Sequence, residues 1–420
     1  MPLRHRERGH DPTAVRASSE EYQKLKDAVA DFVDYCQSKG WDAEYVKKTL
    51  IDDHSPYVIT LSGNRRVVIN KPFFQARSAC GRATRVLYAA YDLESKELRA
   101  LKDAWRTNSV GVQSEEEKYK YLEEKGVHFL ATTYFVGDIW EGDGITAGKQ
   151  ITHTDTLSSP TFRPHWKKVC KLMCSLVHTR VLQELRLPLY SMANSKEVVS
   201  AVRNAVECAY EAREKADTCH RDISVSNVLV NKRGEGFLND WDHGQILTRV
   251  KEPHQYNTGT WQFVSIDFLR NRRKPQNIQD DVESSFWVLL YVCLHYLCHD
   301  RPRFNLEFFD EKDAGQDENE DTVVGGLKKK SLLTNDRVKV VKWECEPLKD
   351  LILNFSGVLG DYHTYSDSTR ARSIELAKPI IYAQIHSRAL PGCFEQDRLA
   401  SKRSSQGSNR APNRDKAGKG

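Results

Sequence analysis

The sequence lacks any apolar run long enough to cross a lipid bilayer. The longest such run covers residues 286–298, and His295 interrupts it. A membrane-spanning helix needs about 20 consecutive apolar residues, so these residues exclude a transmembrane protein and we expect no membrane partner. The start of the chain is charged and has no apolar segment of the kind a secretory signal contains, so we expect no such signal either.

Cysteine is scarce, and charge of one sign is confined to a single segment. Ten cysteines in 420 residues are too few for a disulfide scaffold and predict reduced thiols in the cytoplasm or nucleus. The net charge of +5 comes from residues 399–420, where six Lys/Arg stand against one Asp. A neutral body with a basic tail argues against a nucleic-acid-binding domain.

Apolar periodicity divides the remaining chain into a strand-rich part and a helix-rich part. Helical spacing between Ser18 and Gly40 predicts a first helix, and short alternating runs predict strands within residues 57–105. A charged helix is predicted at 115–125. Later helices are predicted at 196–219, at 282–298 and within 346–388. This order predicts an α+β fold of two lobes with a cleft between them.

We predict four segments along the chain. Residues 1–60 form a helical extension that is partly disordered over 1–18, and residues 61–185 form the small lobe with an insertion. Residues 186–390 form the large lobe and 391–420 a basic disordered tail. Two further segments are predicted to be irregular: 138–165, rich in Gly, Thr, Pro and Ser, and 307–321, an exposed acidic insertion with eight Asp/Glu against one Lys.

One block carries the residues that phosphoryl transfer needs. Asp222 and Asn227 lie five residues apart on one predicted loop, and Asp240 follows eighteen residues after Asp222, beyond a predicted hairpin. Phosphoryl transfer needs a carboxylate to orient the attacking hydroxyl, hard oxygen ligands for Mg²⁺, and a cation on the nucleotide phosphates. The three residues supply the first two requirements, and the block has no soft ligands.

The block and its surroundings resemble the fungal-type protein kinase family. The resemblance is carried by five motifs and covers roughly residues 60–300, with weaker support to about 390. The motifs are Leu-Lys-Asp-x-Trp at 101–105, His-Arg-Asp-Ile-Ser at 220–224, Asp-Trp-Asp at 240–242, an activation-segment end at 258–267, and Asp-Asp-Val-Glu-Ser-x-Phe-Trp at 280–287. The resemblance implies a bilobal protein-kinase-like fold that uses ATP and Mg²⁺ and phosphorylates protein Ser/Thr hydroxyls.

Residue roles follow from the resemblance. Asp222 would be the catalytic base, Asn227 and Asp240 would bind Mg²⁺, and Lys102 would contact the nucleotide phosphates. An acid in the following helix would pair with Lys102. Glu115 is preferred because Tyr119 and Leu122 would pack inward beside it, and Glu116 and Glu117 stay open. Three further assignments complete the set: Gly81 over the phosphates, an adenine hinge within 181–185, and Asp281 as a brace for the catalytic loop.

Four positions depart from the usual protein-kinase pattern. The phosphate loop has a single glycine, Gly81, which limits close approach of the backbone. Ser224 stands where many kinases carry a Lys, although the resembled family also has Ser there. Asp242 adds a carboxylate near the metals. Asp267 replaces a longer Glu that must reach an Arg partner.

Two other functions remain open at this point. The Asp-x-Asp form at 240–242 and Ser224 also resemble small-molecule phosphotransferases, for which the peptide-docking segment 258–267 would be dispensable. The sparse glycine loop is compatible with a non-catalytic pseudokinase scaffold. The sequence names neither the substrate nor the oligomeric state.

Three smaller patterns in the sequence also bear on function. Cys170, Cys174 and His178 could share a helical face as half of a zinc site, but a buried helix face is favoured because no matching pair stands nearby. Arg221 could bind an activation-segment phosphate on Thr248, Tyr256, Thr258 or Thr260. Trp261, near the basic residues 270–274, is assigned to packing in the substrate groove in preference to base stacking.

Overall fold

A computed structural model describes the chain over nine stretches. These are residues 11–75, 84–107, 113–141, 148–151, 176–247, 259–297 without 273, 299–300, 306–314, and 323–364 without 336. Gly81, Cys170, Cys174, Thr248, Tyr256, Thr258 and the basic tail lie outside these residues, so the predictions that fall on them stay predictions.

A seven-stranded antiparallel sheet dominates the N-terminal part. Its order is β1-β2-β3-β4-β5-β9-β6, so strand β9 returns from later in the chain to lie between β5 and β6. The predicted strands within 57–105 are confirmed. The seven strands are β1 (Ala14–Arg16), β2 (Tyr57–Thr60), β3 (Arg66–Gln75), β4 (Thr84–Asp92), β5 (Glu97–Thr107), β6 (Thr133–Asp138) and β9 (Leu176–Glu184).

The first helix, α1 (Ser19–Ser38), forms where its capping and periodicity predict it. The Ser18 hydroxyl accepts from the Glu21 amide while the Glu21 carboxylate accepts from the Ser18 amide, which satisfies donors that a helix start leaves open. A buried stripe of Leu25, Val29 and Phe32 faces the core. A second helix, α2 (Ala43–Leu50), was not predicted.

Helix α3 (Glu115–Glu124) also begins with a capping box and buries one face. Ser114 and Glu117 form its capping box, and Glu115, Tyr119 and Leu122 are buried on one face. The prediction that these three side chains point inward together is therefore confirmed.

The later part of the chain is mainly helical, as predicted. Residues 196–219 were predicted as one helix, but the helix ends at Ala216 and a short strand follows. The elements of this lobe are α4 (Ser195–Ala216), β10 (Leu187–Pro188), β11 (Thr218–Cys219), β12 (Val228–Val230), β13 (Gly236–Leu238), β14 (Gln245–Ile246), α5 (Ile266–Arg270), α6 (Ile278–Tyr296), α7 (Leu327–Thr334) and α8 (Glu346–Thr364).

Helix α6 forms the centre of the large-lobe core. Asn277 caps it through a capping box with Asp280, and most of its side chains are buried, Phe286, Trp287 and Val288 completely. A helix that is apolar on nearly all sides belongs in a core. Among the described residues, no helix is both long enough and apolar enough to pass through a membrane.

Four predictions about irregular or helical segments are wrong in part. Ala14–Arg16, within the segment predicted as disordered, pairs with β2 at the sheet edge. Short strands β7 (Trp140–Glu141) and β8 (Gly148–Lys149) form a hairpin inside the predicted loop. His178, assigned to a helical face, lies on strand β9. Phe308 and Phe309 of the segment predicted as exposed are buried, because they pack against the large-lobe core.

The fold is α+β with a β-rich small lobe and a helical large lobe, as predicted. A short strand inside the acidic segment, β15 (Asp313–Ala314), pairs with β16 (Val323–Val324), which follows that segment. The four segment boundaries given above stay predictions.

Candidate active site

The catalytic loop begins where strand β11 ends, and helix α6 holds it. Asp281 accepts hydrogen bonds from the amides of His220 at 2.8 Å and Arg221 at 2.9 Å, which confirms its predicted bracing contact. Arg221 adopts a left-handed backbone conformation at φ 70°. Asp222 follows this turn directly.

His220 supports the loop from beneath as a neutral side chain. Its Nε2 donates to the Asn239 carbonyl at 2.9 Å, and its Nδ1 accepts from the Asp222 amide at 3.3 Å. Burial lowers the pKa of His220 to about 4. The imidazole therefore ties Asp222 to the strand pair that carries Asp240 without adding charge to the site.

Asp222 is fixed by partners from two directions. The amide and the hydroxyl of Thr260 donate to its Oδ1 at 2.7 and 2.9 Å. Asn227 donates through Nδ2 to the Asp222 carbonyl at 2.7 Å and lies 3.4 Å from its Oδ2. Burial, together with the nearby charge of Asp240, raises the pKa of Asp222 to about 7.

Lys102 joins the two lobes through a buried ion network. Its Nζ donates to Glu115 Oε2 at 2.8 Å and to Asp240 Oδ1 at 2.7 Å, and its side chain is 4 % exposed. Burial opposes the ammonium charge, but Asp240 and Glu115 outweigh it and hold the pKa of Lys102 well above its ordinary value. Of the three glutamates left open by the sequence, Glu115 is the one that pairs with Lys102.

Asp240 occupies a turn directly after β13, with a left-handed φ of 64°. Its neighbour Trp241 is fully buried, and the indole Nε1 donates to the Leu238 carbonyl at 3.3 Å. Lys102 outweighs the effect of burial and holds the pKa of Asp240 below its ordinary value. Asp242 keeps its backbone carbonyl 2.6 Å from Lys118 Nζ, which ties this turn to α3.

Sequence reasoning missed a polar chain behind the ion network. Gln183 Nε2 donates to the Tyr119 hydroxyl at 3.0 Å, and that hydroxyl donates to Asn239 Oδ1 at 3.1 Å. This series of hydrogen bonds runs from β9 through α3 to the turn that carries Asp240. The sequence pattern predicts only that Tyr119 packs inward beside Glu115. A buried Tyr hydroxyl usually finds a hydrogen-bond partner, and this general preference is the signal that could have indicated the network.

The site residues fit a divalent cation. One ammonium, that of Lys102, pairs with the carboxylates of both Glu115 and Asp240, while burial and the nearby negative charge of Asp240 raise the pKa of Asp222. A metal ion would compensate this excess, and the donors present are carboxylate and amide oxygens, which suit Mg²⁺. Asn227 and Asp240 are the residues placed to provide them.

A different group of potential ligand atoms lies on the small lobe. Asp11, Asp103 and His178 bring their ligand atoms within 4.8 Å of one another in the part of the chain described. Arg180 already bonds both carboxylates, and the two ring nitrogens of His178 contact Gln150 and Asp103. This group is an internally paired network that fastens the segment before β1 to β9.

The activation-segment end is anchored in a way the sequence did not show. Glu283 of α6 accepts from the Ile266 amide at 2.8 Å, from Trp287 Nε1 at 2.9 Å and from His363 Nε2 at 2.9 Å. Asp267 was expected to reach an Arg. Among the described residues it accepts from the Tyr362 hydroxyl at 3.3 Å and lies 3.6 Å from His363 Nδ1. The contact with an Arg stays a prediction.

The arrangement of lobes, catalytic loop and buried lysine defines a protein-kinase-like domain. A family model described as fungal protein kinase matches residues 37–293, more than half of the chain. The chain belongs to the fungal protein kinase family, as the resemblance indicated. No curated protein matches it. Family membership implies phosphoryl transfer by a kinase domain, with ATP and a divalent metal ion.

Proposed function

We propose that this chain is an active kinase that transfers the γ-phosphoryl group of ATP to Ser or Thr hydroxyls of proteins. The supporting observation is the position of Asp222, held by Thr260 and Asn227 on the same side of the cleft as Asp240. Lys102 and Glu115, from the small lobe, close the site against Asp240. A non-catalytic scaffold would not need to hold all of these side chains in one arrangement.

Asp222 acts as the base in this proposal. Thr260 donates twice to Oδ1, whereas Oδ2 has a longer contact of 3.4 Å with Asn227 Nδ2, so Oδ2 is the oxygen that accepts the proton of the substrate hydroxyl. The hydroxyl oxygen forms its bond to the γ-phosphorus while the bond from that phosphorus to the β–γ bridging oxygen breaks, and ADP leaves. A pKa near 7 lets Asp222 take up this proton near neutral pH.

Lys102, Asn227 and Asp240 complete the proposed nucleotide site. Lys102 would contact the α- and β-phosphates, and Glu115 would keep its ammonium in place. Asn227 and Asp240 would hold Mg²⁺, which neutralises charge on the transferred phosphoryl group when it is bound. Gly81 would lie over the phosphates.

A protein substrate is favoured over a small molecule by the segment after Gly259. Thr260 contacts the proposed base directly, and Ile266 is tied by its amide to buried Glu283. Residues 259–267 thus form a fixed ledge between the base and the large-lobe core. A small acceptor would not need such a ledge.

The test measures the transfer of labelled phosphate from ATP, in the presence of Mg²⁺, to the protein itself and to mixed proteins. The labelled amino acid is then identified. Asp222→Asn and Asp240→Asn should each abolish transfer to Ser and Thr. Asp34→Asn, an exposed acid on α1, is the matched control and should leave transfer unchanged.

Three outcomes would contradict the proposal. Transfer that survives in Asp222→Asn would remove this residue as the base, and label found only on Tyr would remove the Ser/Thr assignment. Mg²⁺-dependent ATP binding without transfer to any protein would favour a small-molecule kinase or a nucleotide-binding scaffold.

A further inference from the structure

Arg272, just beyond α5, has no acidic partner among the residues that the structure describes. Its guanidinium carbon lies 4.4 Å from the ring centroid of Phe268 and 5.7 Å from that of Trp261. Its Nη1 is buried and has no hydrogen-bond partner. Burial alone lowers the pKa of Arg272 to about 10, and no carboxylate acts against that shift.

Several polar and charged groups of this region already have partners. Gln262 Nε2 donates to Asp310 Oδ1 at 2.7 Å, and Glu311 Oε2 accepts from the Lys328 amide at 2.9 Å. Lys274 is paired with Asp280 at 2.8 Å. The carboxylates of Asp310 and Glu311 therefore have hydrogen-bond partners, while Arg272 packs against the aromatic rings of Phe268 and Trp261 in the part of the chain described.

A second cation lies over the same indole. Lys312 places its Nζ 5.5 Å from the Trp261 ring centroid, and its side chain is exposed. Trp261 is itself clamped, because its Nε1 donates to the Glu311 carbonyl at 2.9 Å. A Cβ at Gly325 would come within 2.9 Å of the indole and 2.6 Å of that carbonyl, so the contact leaves no room for adjustment.

Both cations lie against Trp261, which belongs to the ledge of residues 259–267. Trp261 follows Thr260, whose amide and hydroxyl bind the proposed base. A substrate chain that presents its hydroxyl to Asp222 must pass the residues that follow Thr260. Arg272 is partly exposed and lies against Trp261, the residue directly after Thr260.

We propose that Arg272, aided by Lys312, forms an anion subsite that binds a carboxylate or phosphate side chain of the protein substrate close to the acceptor hydroxyl. The inference rests on the proposed function and adds the substrate class. A guanidinium binds both anions through paired hydrogen bonds. The aromatic rings hold it in place, so little side-chain freedom remains to be lost on binding.

The test compares peptides that differ only near the acceptor Ser, with Ala, Asp, phosphoserine or Lys at each flanking position. The full chain should show kcat/KM at least about tenfold higher for the best acidic or phosphorylated peptide than for the Ala peptide, as expected for a charge-assisted contact. Asp against phosphoserine distinguishes the two anions.

Arg272→Gln should remove this preference, and Arg272→Lys should retain part of it. Arg270→Gln, a nearby exposed arginine, is the matched control and should keep the preference in full. Thermal unfolding of each variant separates loss of selectivity from loss of folding, and the Lys variant preserves the test if the Gln variant unfolds.

Binding of the same peptides, measured by fluorescence anisotropy, separates this inference from the proposed function. Charge-selective binding that Arg272→Gln removes, without phosphate transfer, would support the subsite and contradict the kinase activity. Transfer with equal or greater efficiency on Ala or Lys peptides would overturn the subsite and leave the activity standing. Arg272-dependent binding of a single-stranded oligonucleotide but of no peptide would also overturn it.

Discussion

At the scale of single residues, the buried ammonium of Lys102 is the most consequential group in the cleft. It contacts Glu115 and Asp240, which come from different lobes. A buried ion pair stabilises only when each charge keeps its partner. The two carboxylates therefore depend on one side chain, and the position of the small lobe depends on that contact.

Glu115 and Glu116 provide a direct comparison at this scale. Glu115→Gln removes the charge that holds Lys102, so we expect kcat/KM for ATP to fall about 10- to 100-fold, the effect of losing a positioning charge in a preorganised site. Glu116 pairs with Lys120 on the exposed face of the same helix, and Glu116→Gln should leave the rate unchanged. Steady-state kinetics with varied ATP would measure both, and equal effects would contradict the assignment.

At the scale of elements, the activation-segment end depends on a histidine from α8. His363 donates to Glu283 and lies beside Asp267, so it links α8 to the segment and to α6. Burial opposes its charge, but the two carboxylates outweigh burial and raise the pKa of His363 to about 9. Lys329, fully buried and bonded to the Val264 carbonyl at 2.8 Å, is the other basic group in this cluster.

His363→Gln should make stability less dependent on pH. Because folding raises the pKa of His363, its contribution is fully present below the ordinary value near 6.5 and is lost as pH rises through about 9. We expect the variant to lose up to about 3 kcal/mol of unfolding free energy at pH 6 and to approach the unmodified protein by pH 10. Denaturant titrations at several pH values would measure this difference.

The control for this prediction is a surface histidine. His128 is largely exposed, and His128→Gln should change stability by less than about 0.5 kcal/mol at every pH. A His363→Gln deficit that stays constant from pH 6 to pH 10 would show that its charge contributes nothing to the anchor.

At the scale of the whole molecule, the N-terminal helices connect the two lobes. Helices α1 and α2 lie against the small-lobe sheet. Three hydrogen bonds of the described residues join these helices and the segment between them to the large lobe. The Tyr35 hydroxyl donates to the Lys232 carbonyl, and Trp41 Nε1 donates to Glu197 Oε2 at 3.1 Å. The hydroxyls of Tyr45 and Tyr190 are 2.7 Å apart. The segment that the sequence left without a role therefore acts as a strap behind the cleft.

Trp41→Phe tests this strap. The change keeps an aromatic ring and removes the hydrogen bond to Glu197, so we expect about 1 kcal/mol of lost stability and faster amide exchange in α2 and at the start of α4. Tyr22→Phe is the control, since the Tyr22 hydroxyl bonds Asp52 within the N-terminal extension and does not cross between lobes. Exchange that rises equally in both variants would show that the contact to Glu197 does not couple the lobes.

The sequence by itself determined features that depend on local order. Ser18 and the helical spacing after it mark the start of α1, apolar runs mark the strands of β4 and β5, and the spacing of Asp222, Asn227 and Asp240 indicates the chemistry. These signals are short-range, because the physical cause of each lies within a few residues.

Tertiary structure alone decided features that join distant segments. Glu115 pairs with Lys102 because it lies on the buried face of α3, whereas Glu116 lies outside and pairs with Lys120. His363 contacts Glu283 although it lies 80 residues further along the chain. Charge dominates the composition of the acidic segment and predicts exposure, yet Phe308 and Phe309 near its start are buried in the core. Arg272 is ordinary in sequence, and its lack of an acidic partner among the described residues becomes visible only when the groups packed around it are known.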